Sequence, residues 1–104
     1  MSETNPTTPV LSESQVASLL ANPARWRALR ALCKEPGLPV NELGRRMGIT
    51  QNATTKHVKL MLKLGVITTM YGRLYTLAPA YRPTSGKLEI DFGHCLLRLD
   101  RPPS

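Results

Sequence analysis

The chain is poor in the features that most enzymes, membrane proteins and disulfide-stapled proteins need. It has only two cysteines, Cys33 and Cys95, in 104 residues. Two thiols make no disulfide framework and suit a reducing compartment. No apolar run approaches the ~20 residues of a membrane-crossing helix. The opening "MSETNPTTPV" lacks the basic start and apolar stretch of an export signal, so a cytoplasmic, membrane-free protein is expected. There is no Gly-rich phosphate loop, no clustered carboxylate pair and no nucleophile beside a recognisable base, so no enzymatic activity and no cofactor are expected. Acidic residues are scarce too.

Seven Asp and Glu stand against fourteen Lys and Arg, a formal charge of +7. A chain of this size builds one domain around a single core, and a small basic domain favours polyanions. The charge is concentrated: residues 25 to 73 carry ten basic side chains against Glu35 and Glu42, a net of +8, and the remainder is about neutral.

Helix signals recur through the first two thirds of the chain. Ser12 and Gln15 form a capping box, with Leu11 and Val16 as a hydrophobic staple, and predict a short helix over about 12–20. Asn22 as cap and Pro23 at the first helical position open a second, in which Trp26, Leu29, Leu32 and Cys33 recur at helical spacing until Pro36 and Gly37 break it. Trp26 reads as core. A third, short helix is expected to be capped by Asn41, to turn Val40, Leu43 and Met47 inward, and to stop at Gly48. Thr50 is the expected cap of a fourth, whose stripe of Thr54, Val58, Met61 and Leu62 runs to Gly65. Gly44 supplies the small side chain that two steeply crossing helices require.

Beyond Gly65 the apolar period changes from 3.6 to 2. A hairpin with Gly72-Arg73 as a two-residue turn is expected, Val66, Met70, Tyr75 and Leu77 on one face and Thr69, Tyr71 and Thr76 on the other. After a Pro- and Gly-rich linker, Leu88, Ile90 and Phe92 alternate, and past Gly93 the phase moves to Cys95, Leu97 and Leu99. One strand with a bulge at the glycine is expected there. Such a strand cannot bury itself, so it pairs with the preceding hairpin or with a second copy.

"LANPARWRALRAL" and "GITQNATTKHVKLMLKLGVI", within residues 20 to 67, resemble the ArsR-type winged helix regulators. The resemblance covers about residues 12 to 78. It implies a mainly α fold with a small β wing (α+β), a winged helix-turn-helix; the extra C-terminal β-strand read from the residues departs from the family, in which a helix normally carries the dimer contact. The expected organisation is a tail over 1–10, a DNA-binding domain over 11–80, and a linker with a C-terminal strand, for dimerisation, over 81–104. It also implies a sequence-specific regulator of double-stranded DNA, a repressor, working as a homodimer through the C-terminal strand or terminal helices. Gln51, Asn52, Thr55, Lys56 and Lys59 inherit the major-groove role, and Arg73 the flanking contact. Arg25 matches the arginine after the helix-opening proline, a structural or backbone-contacting role.

The residues lead to the same face independently. Amides at Gln51 and Asn52 in a first helical turn suit adenine edges, Thr55 can bond either partner, and Lys56, Lys59 and Lys63 suit guanine edges or phosphates. Arg45 and Arg46, just before the turn, are candidate phosphate contacts, with a solvated face nearly as well supported. His57, at the edge of the stripe, reads as a packing or phosphate-contacting residue. "GLPVNEL" carries none of the cysteines of the thiolate metal sensors, no ligand-bearing helix follows the wing, and His94-Cys95 lacks spaced companions, so no metal is expected. A winged helix that only docks protein is the alternative, and it would more often show an apolar or acidic face here.

Overall fold

The computed structural model describes residues 11–83, 88–93 and 95–99. Four helices come first: α1 (Glu13–Leu19), α2 (Pro23–Lys34), α3 (Val40–Met47) and α4 (Gln51–Leu64). A hairpin of β1 (Ile67–Met70) and β2 (Leu74–Leu77), a single 3-10 turn at Pro79–Tyr81, and a second hairpin of β3 (Glu89–Asp91) and β4 (Leu96–Arg98) complete the order. Among the described residues no helix is long and apolar enough to cross a membrane.

The helix termini follow local chemistry. Gln15 N–H donates to Ser12 Oγ and Ser12 N–H to Gln15 Oε1, closing the capping box on α1. Asn22 Oδ1 accepts from Ala24 N–H, with Pro23 at the first position of α2. The exception is α3. Its cap is Pro39, which has no side-chain acceptor, and Asn41 lies one residue inside the helix and exposed. Long-range pairing explains the earlier start: Leu38 exchanges two backbone hydrogen bonds with Tyr75, at 2.9 and 2.7 Å, which pins the chain one residue before Pro39. Gly48, at φ 74°, ends the helix in the left-handed conformation that glycine adopts without penalty.

The α3–α4 crossing is close. A Cβ added at Gly44 would lie 2.6 Å from Thr54 Oγ1, and Thr54 is fully buried with its hydroxyl donating to Thr50 O at 2.8 Å. Gly44→Ala is therefore expected to cost about 1–3 kcal/mol through overpacking. Thr54→Ala in the same chain should recover much of that loss, and a double-mutant cycle by urea denaturation measures the coupling. Additive costs would show that the two side chains do not meet.

Leu19, Leu29, Leu43, Met47 and Met61 are fully buried and join the four helices in one core. Trp26 is half-buried against that core, its indole N–H donating to Leu20 O at 2.8 Å. Leu62 departs from the expected stripe. It is 36% exposed, because the inner face of α4 centres on Thr54, Val58 and Met61 and residue 62 rotates past its edge.

The wing register corrects the two-residue turn. Met70 pairs with Leu74 and Ile67 with Leu77, so the connection is the three residues Tyr71, Gly72 and Arg73. Arg73 N–H donates to Met70 O, and Tyr71 and Gly72 both have positive φ, 57° and 72°, as in a type I′ turn. One extra loop residue shifts the register by one, so Tyr75 pairs with Thr69 and lies on the other face of the hairpin from Met70. Gly can occupy this geometry freely; Tyr71 is strained there by roughly 1–2 kcal/mol.

The single bulged strand expected over 87–99 is instead two strands paired antiparallel, Ile90 opposite Leu97. Gly93, at φ 91°, allows the reversal, and Phe92 N–H donates to Cys95 O across it. The alternating apolar residues do point one way. Ile90, Phe92, Leu97 and Leu99 are buried in the same core as the helices, whereas Cys95 is exposed. Arg30 Nε donates to Leu99 O, and the rings of Tyr81 and Phe92 lie 5.5 Å apart. Of the two partners expected for this segment, the preceding hairpin and a second copy, the hairpin is not used: β3 and β4 pair with each other in a sheet separate from β1 and β2.

Candidate nucleic-acid interface

Two glycines and a threonine set α4. Gly48 turns the chain out of α3, Thr50 Oγ1 accepts from Ala53 N–H at 3.2 Å, and Gly65, at φ 78°, ends the helix. With Thr54, Val58 and Met61 buried, Gln51, Asn52, Thr55, Lys56, Lys59 and Lys63 are all exposed on the other side. At about 100° per residue these six fall within an arc of roughly 140°. The helix contains no acidic residue, and among the described residues its three lysines have no ion pair. Its N-terminal amides add the positive end of the helix dipole to the same surface. Thr55 Oγ1 donates back to Gln51 O at 3.0 Å, so its hydroxyl faces outward as an acceptor.

The arginines divide into two groups. Arg45 keeps its side chain 77% exposed, 3.8 Å from Glu42, and Arg73 is exposed at the wing tip. Arg46 is held by Glu35 at 3.2 Å and Glu42 at 3.1 Å; these carboxylates raise its pKa and neutralise its charge, so it ties α2 to α3. Arg27 Nε donates to Met47 O, and Arg25 donates to Ser18 O and Leu19 O at the end of α1. Arg25 and Arg27 therefore complete helix ends and Arg46 is ion-paired, and charge density along the chain does not reveal which arginines are so engaged.

Arg25 also reaches α4, its Nη1 lying 2.8 Å from His57 Nδ1. A guanidinium only donates, so Nδ1 accepts and the imidazole is neutral with its proton on Nε2. Burial, and then the Arg25 charge, hold the His57 pKa below its ordinary 6.5. The folded state thus binds the proton less readily than the unfolded chain. Stability from this contact is present above the ordinary imidazole pKa and lost as pH falls through the lower folded value. Urea melts between pH ~7.5 and ~5 should show stability falling toward acid, and His57→Gln should flatten that dependence. An unchanged slope would place the titrating group elsewhere.

Sequence reasoning passed over Tyr71 as a site residue. It is 83% exposed at the wing tip beside Arg73. The available signal was an aromatic inside a "YGR" turn, where small or polar residues are usual. His94 lies outside the described residues, and among those described no group of three or more His, Cys, Asp or Glu could hold a metal ion.

A tight α3–turn–α4 unit carrying a basic, amide-rich helix, followed by a two-stranded wing that Leu38 bridges, defines a winged helix-turn-helix domain of the kind found in transcriptional regulators. Similarity to known proteins agrees with this. A model of the MarR family matches residues 22–69. Among solved structures, the chain is similar to the NMR structure of the cadmium metal-sensor CmtR from Mycobacterium tuberculosis, with TM-score 0.53 and 28% identity over 64% of this chain and 72% of that one. A search of curated proteins found no match.

Proposed function

We propose that the protein is a cytoplasmic, sequence-specific regulator of double-stranded DNA that inserts α4 into the major groove and represses by occupying its site. The observation that supports this reading is the exposed, acid-free face of α4, with amides in its first turn and lysines along its length. Gln51 and Asn52 offer the paired donor and acceptor that match an adenine edge, while Lys56, Lys59 and Lys63 supply charge toward guanine edges and phosphates. Arg45 in front of the turn and Arg73 on the wing bracket that helix as backbone contacts. The proline- and arginine-bearing start of α2, Asn22-Pro23-Arg25, supports an ArsR-type arrangement, and the reading requires no metal.

Selection of bound sequences from random duplexes with the full chain tests it. Enrichment of a defined site is expected, and the presence or absence of an inverted repeat reports how many copies bind. Failure to enrich any sequence, with weak and purely salt-controlled binding, would overturn it.

A further inference from the structure

A cavity of about 470 Å³ opens between the end of α2, the wing and the segment that follows it. That volume lies in the range of about 300–1,000 Å³ usual for small-molecule sites. Leu32, Met70 and Leu77 give it apolar walls. Leu32 and Leu77 belong to the buried core, and the Met70 side chain lies across Gly37, where an added Cβ would be 2.8 Å from Met70 Cε. A long, unbranched thioether at a wall adapts to what is laid against it. β2 brings a polar group into the same surface. Thr76 pairs with Thr68, on the face of the hairpin that carries Met70, and is only 5% exposed. The hydroxyls of Thr54 and Thr55 donate to carbonyls one turn back, but that of Thr76 has no hydrogen-bond partner among the described residues. Among those residues no side-chain polar atom is both unpartnered and sealed from solvent, so the Thr76 hydroxyl opens onto the cavity. A group so placed, both donor and acceptor, is completed by water or by a ligand.

The mouth is cationic. Lys34 and Arg82 are exposed at its edge and form no ion pair among the described residues. Arg82 Nε donates to Leu77 O at 3.0 Å, which anchors the guanidinium one residue along the chain from Thr76. Glu35 also lines the cavity, but its carboxylate is held by Arg46 at 3.2 Å. Past Lys34, Arg27 and Arg30 line a neighbouring depression, so the potential over this side of the mouth is positive.

We propose that this cavity binds a small free carboxylic acid, its apolar body against Leu32, Met70 and Leu77 and its carboxylate between Arg82 and Lys34, accepting from the Thr76 hydroxyl. Charge-assisted bonds from a guanidinium favour a carboxylate over a neutral head group, and two cations at the mouth repel an ammonium. No residue of α4 lines the cavity, so the site stands apart from the DNA-binding reading and its test needs no DNA.

The test is a titration of the isotope-labelled full chain with decanoate, kept below micelle-forming concentrations and followed by backbone amide shifts. Saturable shifts are expected at Cys33, Lys34, Thr76, Leu77 and Arg82, with Lys59 and Lys63 on α4 unmoved. Decanol should bind about tenfold more weakly, and decyltrimethylammonium should not bind. Thr76→Val keeps the shape of the side chain, removes the hydroxyl, and should weaken decanoate severalfold. Lys34→Gln with Arg82→Gln should reduce decanoate to the level of decanol while leaving decanol binding unchanged, which also shows that the cavity is intact. Equal affinity of the wild type for decanoate and decanol would overturn the carboxylate assignment. Shifts that spread over the surface without saturating would mean detergent-like association only, and no shift at the named positions would remove this class of ligand; either result overturns the site. Tighter binding to vesicles of anionic phospholipid than to decanoate would make the ligand a membrane lipid and overturn the assignment to a free acid.

Discussion

Cutting the chain after Pro83 is expected to unfold the domain rather than to release a folded monomer from a dimer. The removed segment carries Ile90, Phe92, Leu97 and Leu99, all buried in the core that the helices share. Full burial of one such side chain is worth about 1.5–3 kcal/mol. Part of that burial is between β3 and β4 themselves, so the loss is smaller than the sum but still several kcal/mol. A domain of this size has about 5–15 kcal/mol in total. Truncation also removes the ring partner of Tyr81 and the Leu99 carbonyl that accepts from Arg30. Far-ultraviolet circular dichroism with thermal melting decides the matter: loss of the cooperative transition is expected. A truncated chain that melts cooperatively at the original temperature would show that the β3–β4 hairpin does not belong to the core. If it also changed from dimer to monomer in sedimentation, the strand-mediated assembly expected from the sequence would be restored.

The second large effect separates reading from holding on α4. Gln51 and Asn52 lie in its first exposed turn, the part a recognition helix brings to the base edges, and an amide paired with adenine gives about 1–3 kcal/mol of discrimination against a wrong base. Lys63 is three turns further on, and Arg73 is on the wing. Gln51→Ala and Asn52→Ala should weaken binding to the selected site about tenfold or more, leaving binding to scrambled duplex and its salt dependence nearly unchanged. Lys63→Ala and Arg73→Ala should lower affinity for every duplex and reduce the salt slope by about one unit for each phosphate no longer neutralised. Titrations on both duplexes at several salt concentrations distinguish the two classes. Full preference retained by the amide variants would mean the reading face is misplaced; no effect of any variant would favour a surface that docks protein. Arg46→Ala serves as a contrast. Its side chain is held by Glu35 and Glu42, so its removal should change DNA affinity less than the removal of Arg45 does.

How much could be read along the chain depends on the range of each interaction. Ser12, Asn22 and Thr50 cap their helices through bonds spanning two or three residues, and Gly48 and Gly65 end theirs by a conformation that glycine adopts alone, so these positions were legible. The apolar periods that set the inner face of α4 and the buried face of residues 88–99 are local in the same sense, and so is the exposed amide and lysine face that follows from them. What only the tertiary structure decided depends on partners distant in sequence. The start of α3 moved because Leu38 pairs with Tyr75, 37 residues on. The hairpin register rests on a single loop residue that composition leaves open, and it puts Tyr71 into a strained turn at the tip. Residues 88–99 fold back because the helical core leaves room for Ile90, Phe92, Leu97 and Leu99, a fact that no alternation within the segment contains. Whether an arginine faces solvent or satisfies the carbonyl at the end of a helix or strand was likewise decided by carbonyls that only folding brings near, Leu19 for Arg25, Met47 for Arg27 and Leu99 for Arg30.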